Sequence, residues 1–111
     1  MTAYKAGDVI LVSFPFGERI SGQKRPAVVV SSASHNQATS ELLIAQITSN
    51  VTVERHGDFP IQQWAEANLL TPSVVRARFA TIQDALVLRK LGELEADDLN
   101  GLKIALESAT A

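Results

Sequence analysis

Apolar positions in this chain fall mostly in short runs rich in β-branched residues, separated by polar stretches holding Gly, Ser, Asn and Pro. Such runs read as strands, and their spacing predicts an all-β core. The first run covers residues 9–14 and the second residues 27–31. Neither alternates cleanly, as expected where a small barrel buries both faces of a strand. Between them lies a polar loop, with Gly17 and Gly22 in it, longer than a hairpin needs. Residues 32–39 read as a polar turn and residues 42–48 as a third strand. A short strand broken by Pro60 is predicted at 59–61, and one helical turn around Trp64 at 62–68. Residues 73–82 form a long strand with a bend near 77–80, and 86–91 fits either a last short strand or a helical turn.

The clearest helix is the last element, at 97–108. Leu99, Leu102 and Leu106 fall on one stripe with Ala105 beside it. Asp97 and Asp98 occupy its first turn, where the macrodipole favours negative charge. Gly101 within it costs about 1 kcal/mol relative to alanine, so packing must hold the helix in place. No repeat or linker divides residues 1–111, and a single domain is expected.

Composition narrows the function classes. The absence of cysteine excludes a disulfide framework and a thiolate metal site. No apolar run approaches the roughly 18 residues a membrane helix needs, and the first residues lack the apolar core of a signal peptide. A cytoplasmic protein without a membrane role is expected. The net charge of −2 conceals an asymmetry. Residues 1–90 carry +2 and residues 91–111 carry −4, so the acidity belongs to the tail. The mildly basic body suits a small nucleic-acid site rather than a wide phosphate-tracking groove.

His35 and His56 lack a third ligand nearby, so no metal is expected. No Gly-x-Ser-x-Gly turn presents a nucleophile, and no glycine loop cradles phosphate before a helix. Arginine and hydroxyl remain. Lys24 and Arg25 stand where the second strand begins, and Pro26 stiffens the backbone beneath them. Thr48, Ser49 and Asn50 end the third strand, while Arg76 and Arg78 share parity on the long strand. A guanidinium fork and a threonine hydroxyl suit a pentavalent phosphate. With no metal to activate water, the nucleophile is one the substrate brings, and RNA brings its 2′-OH. Intramolecular attack leaves a 2′,3′-cyclic phosphate and a free 5′-OH. Taken singly, each residue also fits a plainer role: a solvated charge for Arg25, a turn for 48–50, edge protection for Arg76 and Arg78. The Phe14-Pro15-Phe16 cluster fits base stacking or closure of the core.

Several blocks together form a recognisable pattern: Gly7-Asp8-Val9, Phe14-Pro15-Phe16, Lys24-Arg25-Pro26-Ala27-Val28-Val29, Ile47-Thr48-Ser49, Leu70-Thr71-Pro72-Ser73-Val74-Val75 and Thr81-Ile82, followed by the terminal helix. In this order and spacing the chain resembles the MazF/PemK family of toxin endoribonucleases. The resemblance implies a mainly β fold, an SH3-like small β-barrel of the CcdB/Kid/MazF kind with a C-terminal α-helix. It implies the toxin component of a type II toxin–antitoxin system, a homodimer held inactive by a cognate antitoxin. The implied activity is metal-independent, cofactor-free, sequence-specific cleavage of single-stranded RNA, as in an mRNA interferase. By position, Arg25 and Thr48 match the catalytic pair; Phe16, Lys24, Ser49, Asn50, Arg76 and Arg78 are the implied RNA-binding residues. One departure stands out: some members carry Arg-x-Asp on the late strand, with the Asp proposed as general base, and here Arg78 occupies that position. Two other classes fit the same barrel, a CcdB-like gyrase inhibitor and a non-catalytic SH3-like binding module; neither needs the Arg25–Thr48 combination.

Overall fold

The computed structural model describes residues 3–13, 24–51 and 56–110. Six strands and two helices follow one another as β1 (Asp8–Ser13), β2 (Lys24–Val29), α1 (Ala33–Thr39), β3 (Glu41–Thr48), β4 (Phe59–Pro60), β5 (Val74–Gln83), β6 (Arg89–Glu93) and α2 (Ala96–Thr110). A 3-10 turn at Asp84–Leu86 precedes β6. The strands form one antiparallel sheet in the order β4-β5-β3-β2-β1-β6, curled into a half-barrel.

Both faces of the central strands are buried, which accounts for their unbroken apolar runs. On one face Val9, Val28, Ala45, Ile47 and Val75 pack against Ile61, Leu69, Leu94 and Leu102, with Phe59 and Trp64 at the margin. On the other, Ile10, Val12, Ala27, Val29, Leu42 and Ile44 pack together, with Tyr4, Ala80, Ile82 and Val87 against them. One-residue alternation along β1 and β2 thus feeds two cores rather than a core and a solvent face.

The gap between the edge strands is bridged by residues 61–73. Ile61 N–H donates to the Ser73 carbonyl at 3.0 Å, tying the two ends of this segment together. Asn68, left-handed at φ 63°, donates its side-chain amide to the Leu91 carbonyl of β6 at 2.8 Å. Gly92 permits this approach: a Cβ there would come within 2.6 Å of the Ala67 carbonyl oxygen. The single helical turn expected around Trp64 is present, with an Ala67 N–H to Gln63 carbonyl bond at 3.3 Å.

The reading of 32–39 as a turn is corrected by the structure. These residues form α1, with the Ser32 hydroxyl as N-cap accepting from the His35 N–H at 3.2 Å and Ser40 left-handed at the C-cap. The helix is held by Asn36, which is buried and donates to the Tyr4 carbonyl at 2.9 Å. The ambiguous stretch 86–91 resolves as the 3-10 turn followed by β6. β2 begins three residues earlier than its apolar run, so Lys24 and Arg25 lie inside the strand, opposite Ser13 and Val12. Pro26 is tolerated there because the β2–β3 ladder begins one residue later, at Ala27 and Gln46.

The Gly7-Asp8 block has a structural role. Gly7 takes φ 95°, and Asp8 is fully buried. Its carboxylate accepts from the Lys5 N–H and ammonium, each at 3.0 Å, and pairs with Lys90 at 3.2 Å. Glu93 completes the cluster by bonding both lysines. The hydrogen bond from Lys5, then that from Lys90, holds the Glu93 carboxyl below its ordinary 4.5. A carboxylate depressed on folding stabilises above its unfolded value and loses that contribution as pH falls through the folded one. Glu93→Gln is therefore expected to be less sensitive to acid than the wild type. Urea titrations at pH 7 and at a pH below 4.5 check this, the wild type losing more of its midpoint between them.

Candidate active site

The register of the sheet builds the site. Val28 pairs with Ala45 and Ala27 with Gln46. Carried two residues further, the same register sets Arg25 across from Thr48. Both line a cavity of about 420 Å³ at the open end of the sheet, together with Ser49, Pro26, Ile47 and Leu11. The bridging segment supplies Asn68, Leu69, Leu70, Thr71 and Ser73, and β6 supplies Arg89 and Leu91. The described lining thus holds two guanidinium groups and several hydroxyls and no carboxylate. That donor set suits an anion.

Thr48 is oriented from within its own turn. Its Oγ1 accepts from the Asn50 N–H at 3.1 Å. That bond uses a lone pair and leaves the hydroxyl proton to be donated elsewhere. Gln46, two residues back along β3 at the point where the β3–β5 register slips, is buried with its Oε1 lacking a hydrogen-bond partner among the described residues.

The other expected RNA-binding residues distribute differently. Ser49 lines the cavity, whereas Lys24 and Asn50 stand exposed outside its lining. Arg76 donates from Nε to Asp58 Oδ1 at 3.2 Å and from Nη2 to Oδ2 at 3.0 Å. Both side chains are largely buried. The pairing follows from strand register, since Phe59 opposes Val75 and the next step sets Asp58 against Arg76. Arg78 is exposed on β5, outside the cavity lining. The β3–β5 register slips between the Ala45–Phe79 and Ile47–Val75 pairs, and Arg76 and Arg78 fall inside the slip. Strict parity does not hold there, so their shared face is not that of an even strand. Phe16 and the glycine-flanked loop 17–23 lie outside the described residues. Arg89 went unnoticed in the sequence because its segment was ambiguous; its pairing with Leu11 brings it to the cavity.

Among the described residues no group of three or more His, Cys, Asp or Glu could hold a metal ion. No described helix is long and apolar enough to cross a membrane.

Comparison with solved structures gives the same architecture. A MazE–MazF complex from Deinococcus radiodurans matches at TM-score 0.75 and 21% identity, over 98% of this chain and 96% of that one. A mycobacterial endoribonuclease in complex with its cognate antitoxin matches at TM-score 0.76 and 20% identity, over 98% and 94%. The Mycobacterium tuberculosis toxin MazF-mt6 matches at TM-score 0.74 and 21% identity, over 92% and 94%. At these identities the likeness establishes the SH3-like barrel with its terminal helix. No match was found among the curated proteins. A family model describing the PemK-like, MazF-like toxin of type II toxin–antitoxin systems matches residues 5–109. With nearly the whole chain inside that match, and the fold in agreement, this protein belongs to the PemK-like, MazF-like toxin family of type II toxin–antitoxin systems.

Proposed function

We propose that this toxin is a metal-independent endoribonuclease that cuts single-stranded RNA at specific short sequences. The observation that carries the reading is the convergence of Arg25, Thr48, Ser49 and Arg89 on one cavity whose described lining holds no carboxylate. The scissile phosphate binds there. The neighbouring ribose 2′-oxygen attacks phosphorus, the bond to the 5′-oxygen breaks, and a 2′,3′-cyclic phosphate and a 5′-hydroxyl result. The extra negative charge of the pentavalent state falls on the non-bridging oxygens. The Arg25 fork meets it with parallel N–H donors, and the Thr48 hydroxyl adds another. A guanidinium, with a pKa above about 12, is a poor proton acceptor, so Arg25 acts on charge rather than as a base. Arg78, where some family members carry a carboxylate, leaves proton removal to another acceptor.

Arg89 contributes attraction to phosphate rather than bond breaking. Arg89→Ala is expected to raise KM about tenfold while kcat stays within about threefold, as for loss of one charge-assisted phosphate contact. Steady-state kinetics on a fluorogenic RNA check this split. The neighbours that carry antitoxins support a cognate antitoxin for this chain as well. In this reading the toxin works as a cytoplasmic homodimer, and an acidic antitoxin segment displaces RNA from the basic cavity. The test of the reading is an oligonucleotide with a single 2′-deoxy substitution at the cleaved nucleotide. Cleavage of the all-RNA strand and none of the substituted one is expected. Equal cleavage of both would overturn the mechanism.

A further inference from the structure

Leu70 is the most exposed large apolar side chain among the described residues, at 94%. A lone exposed leucine is ordinary on a protein surface, but the place of this one is not. It stands in the lining of the cavity that holds Arg25 and Thr48. Its backbone is fixed from both sides. Leu69 before it is buried and donates its N–H to the Trp64 carbonyl at 3.0 Å, while the Asn68 amide holds the Leu91 carbonyl of β6. After it, Pro72 restricts the chain and the Ser73 hydroxyl donates to the Thr71 carbonyl at 2.9 Å. The Ser73 carbonyl in turn accepts from the Ile61 N–H. The segment thus presents an apolar side chain to solvent from a braced backbone, beside the donors proposed for the scissile phosphate.

We propose that Leu70 is a wedge that enters between the two bases flanking the scissile phosphate and unstacks them, so that the ribose 2′-oxygen turns into line for attack. The proposal rests on the ribonuclease reading of the cavity and deepens it. Attack requires the 2′-oxygen, the phosphorus and the leaving 5′-oxygen to stand in line. In a stacked strand the 2′-oxygen lies to one side of the P–O5′ bond, so opening the stack belongs to reaching the reactive geometry. Arg25 and Thr48 can fix a phosphate, but contacts to phosphate do not part the bases. Apolar side chains such as leucine do part base steps in other nucleic-acid complexes, by filling the gap that opens. Burial between base faces would also remove from water an apolar surface that the fold leaves bare. Leucine has no donor or acceptor, so the wedge acts on stacking and leaves the reading of base edges to polar groups.

The test compares wild type with Leu70→Ala and Leu70→Met on a short RNA carrying the sequence mapped from wild-type cuts. Because the side chain is almost fully exposed, both variants should melt within a few degrees of wild type. Leu70→Ala is expected to lower kcat at least about tenfold with KM within about threefold, since the phosphate contacts stay and the alignment is lost. Leu70→Met, of similar volume, should stay within about threefold of wild type. The direct readout is the circular dichroism of the RNA bases, which tracks their stacking, on the same strand made uncleavable by one 2′-deoxy nucleotide. Saturating wild-type protein should weaken that signal, and saturating Leu70→Ala should leave more of it intact. A Leu70→Ala kcat equal to wild type, a loss carried by KM alone, or the same base signal with both proteins would each overturn the proposal. So would a change in oligomeric state on Leu70→Ala, which would place the residue between two copies of the chain. Cleavage that leaves 2′,3′-cyclic phosphate ends alongside any of those results keeps the nuclease reading and removes the wedge; RNA left uncut by the wild type removes both.

Discussion

Arg25→Ala is expected to lower the cleavage rate about 10²–10³-fold, the range for removing one preorganised donor from a developing oxyanion. The side chain lines the cavity proposed to take the scissile phosphate, and its strand position is set by backbone pairing to Val12, which alanine preserves. The loss should therefore fall on chemistry and not on folding, with the melting temperature within a few degrees of wild type. Arg25→Lys keeps the charge and loses the planar fork. Its rate should lie between the two, so charge and geometry are separated by one further variant. Single-turnover cleavage of a defined RNA, with thermal melts of the same preparations, provides both readouts. A rate equal to wild type in Arg25→Ala would remove this residue from the mechanism.

The largest expected loss of stability follows Asp98→Ala. Asp98 is buried in the first turn of α2. Its two oxygens accept from the backbone N–H groups of Gln62 and Gln63, at 3.0 and 2.8 Å. One carboxylate thus caps the bridging segment and fastens the terminal helix to it. Alanine leaves two partly buried N–H groups without that acceptor, and hydrogen bonds to charged groups contribute about 1.5–3 kcal/mol each. A loss of about 3 kcal/mol is expected, or more than about 12 °C in melting temperature for a domain of this size. Asp98→Asn retains one acceptor oxygen and should lose roughly half as much. Because the same segment carries Trp64, Asn68, Leu69 and Ser73, cleavage at temperatures well below the melt should also weaken. An Asp98→Ala melt within a few degrees of wild type would show that the segment is held by its apolar contacts instead.

Most strands were legible because apolar β-branched runs at 9–14, 27–31 and 42–48 have few other uses in a chain of this composition. Helix α1 was not, since 33–39 carries no apolar stripe. What holds it is tertiary, the buried Asn36 amide on the Tyr4 carbonyl, with the Ser32 hydroxyl capping its start. Arg25 and Thr48 were paired in the sequence through the family resemblance, and the β2–β3 register brings this strand-entry residue and strand-exit residue to one cavity. Arg89 was not, because its place depends on pairing between β1 and the distant β6. The link between Arg76 and Asp58 was hidden for the same reason. Parity along one strand indicates a shared face for Arg76 and Arg78 only while the ladder is even, and the β3–β5 ladder slips between them. Asp8 carried a family-like motif whose physical content is a buried carboxylate between two lysines, which local pattern alone does not reveal.

The most direct test of the central claim is the chemistry of the ends left on a long single-stranded RNA cut by the purified toxin in EDTA. Cuts confined to a short recurring sequence, with 5′-hydroxyl and 2′,3′-cyclic phosphate termini, are the predicted result. Cleavage that EDTA abolishes, or fragments bearing 5′-phosphates, would contradict it.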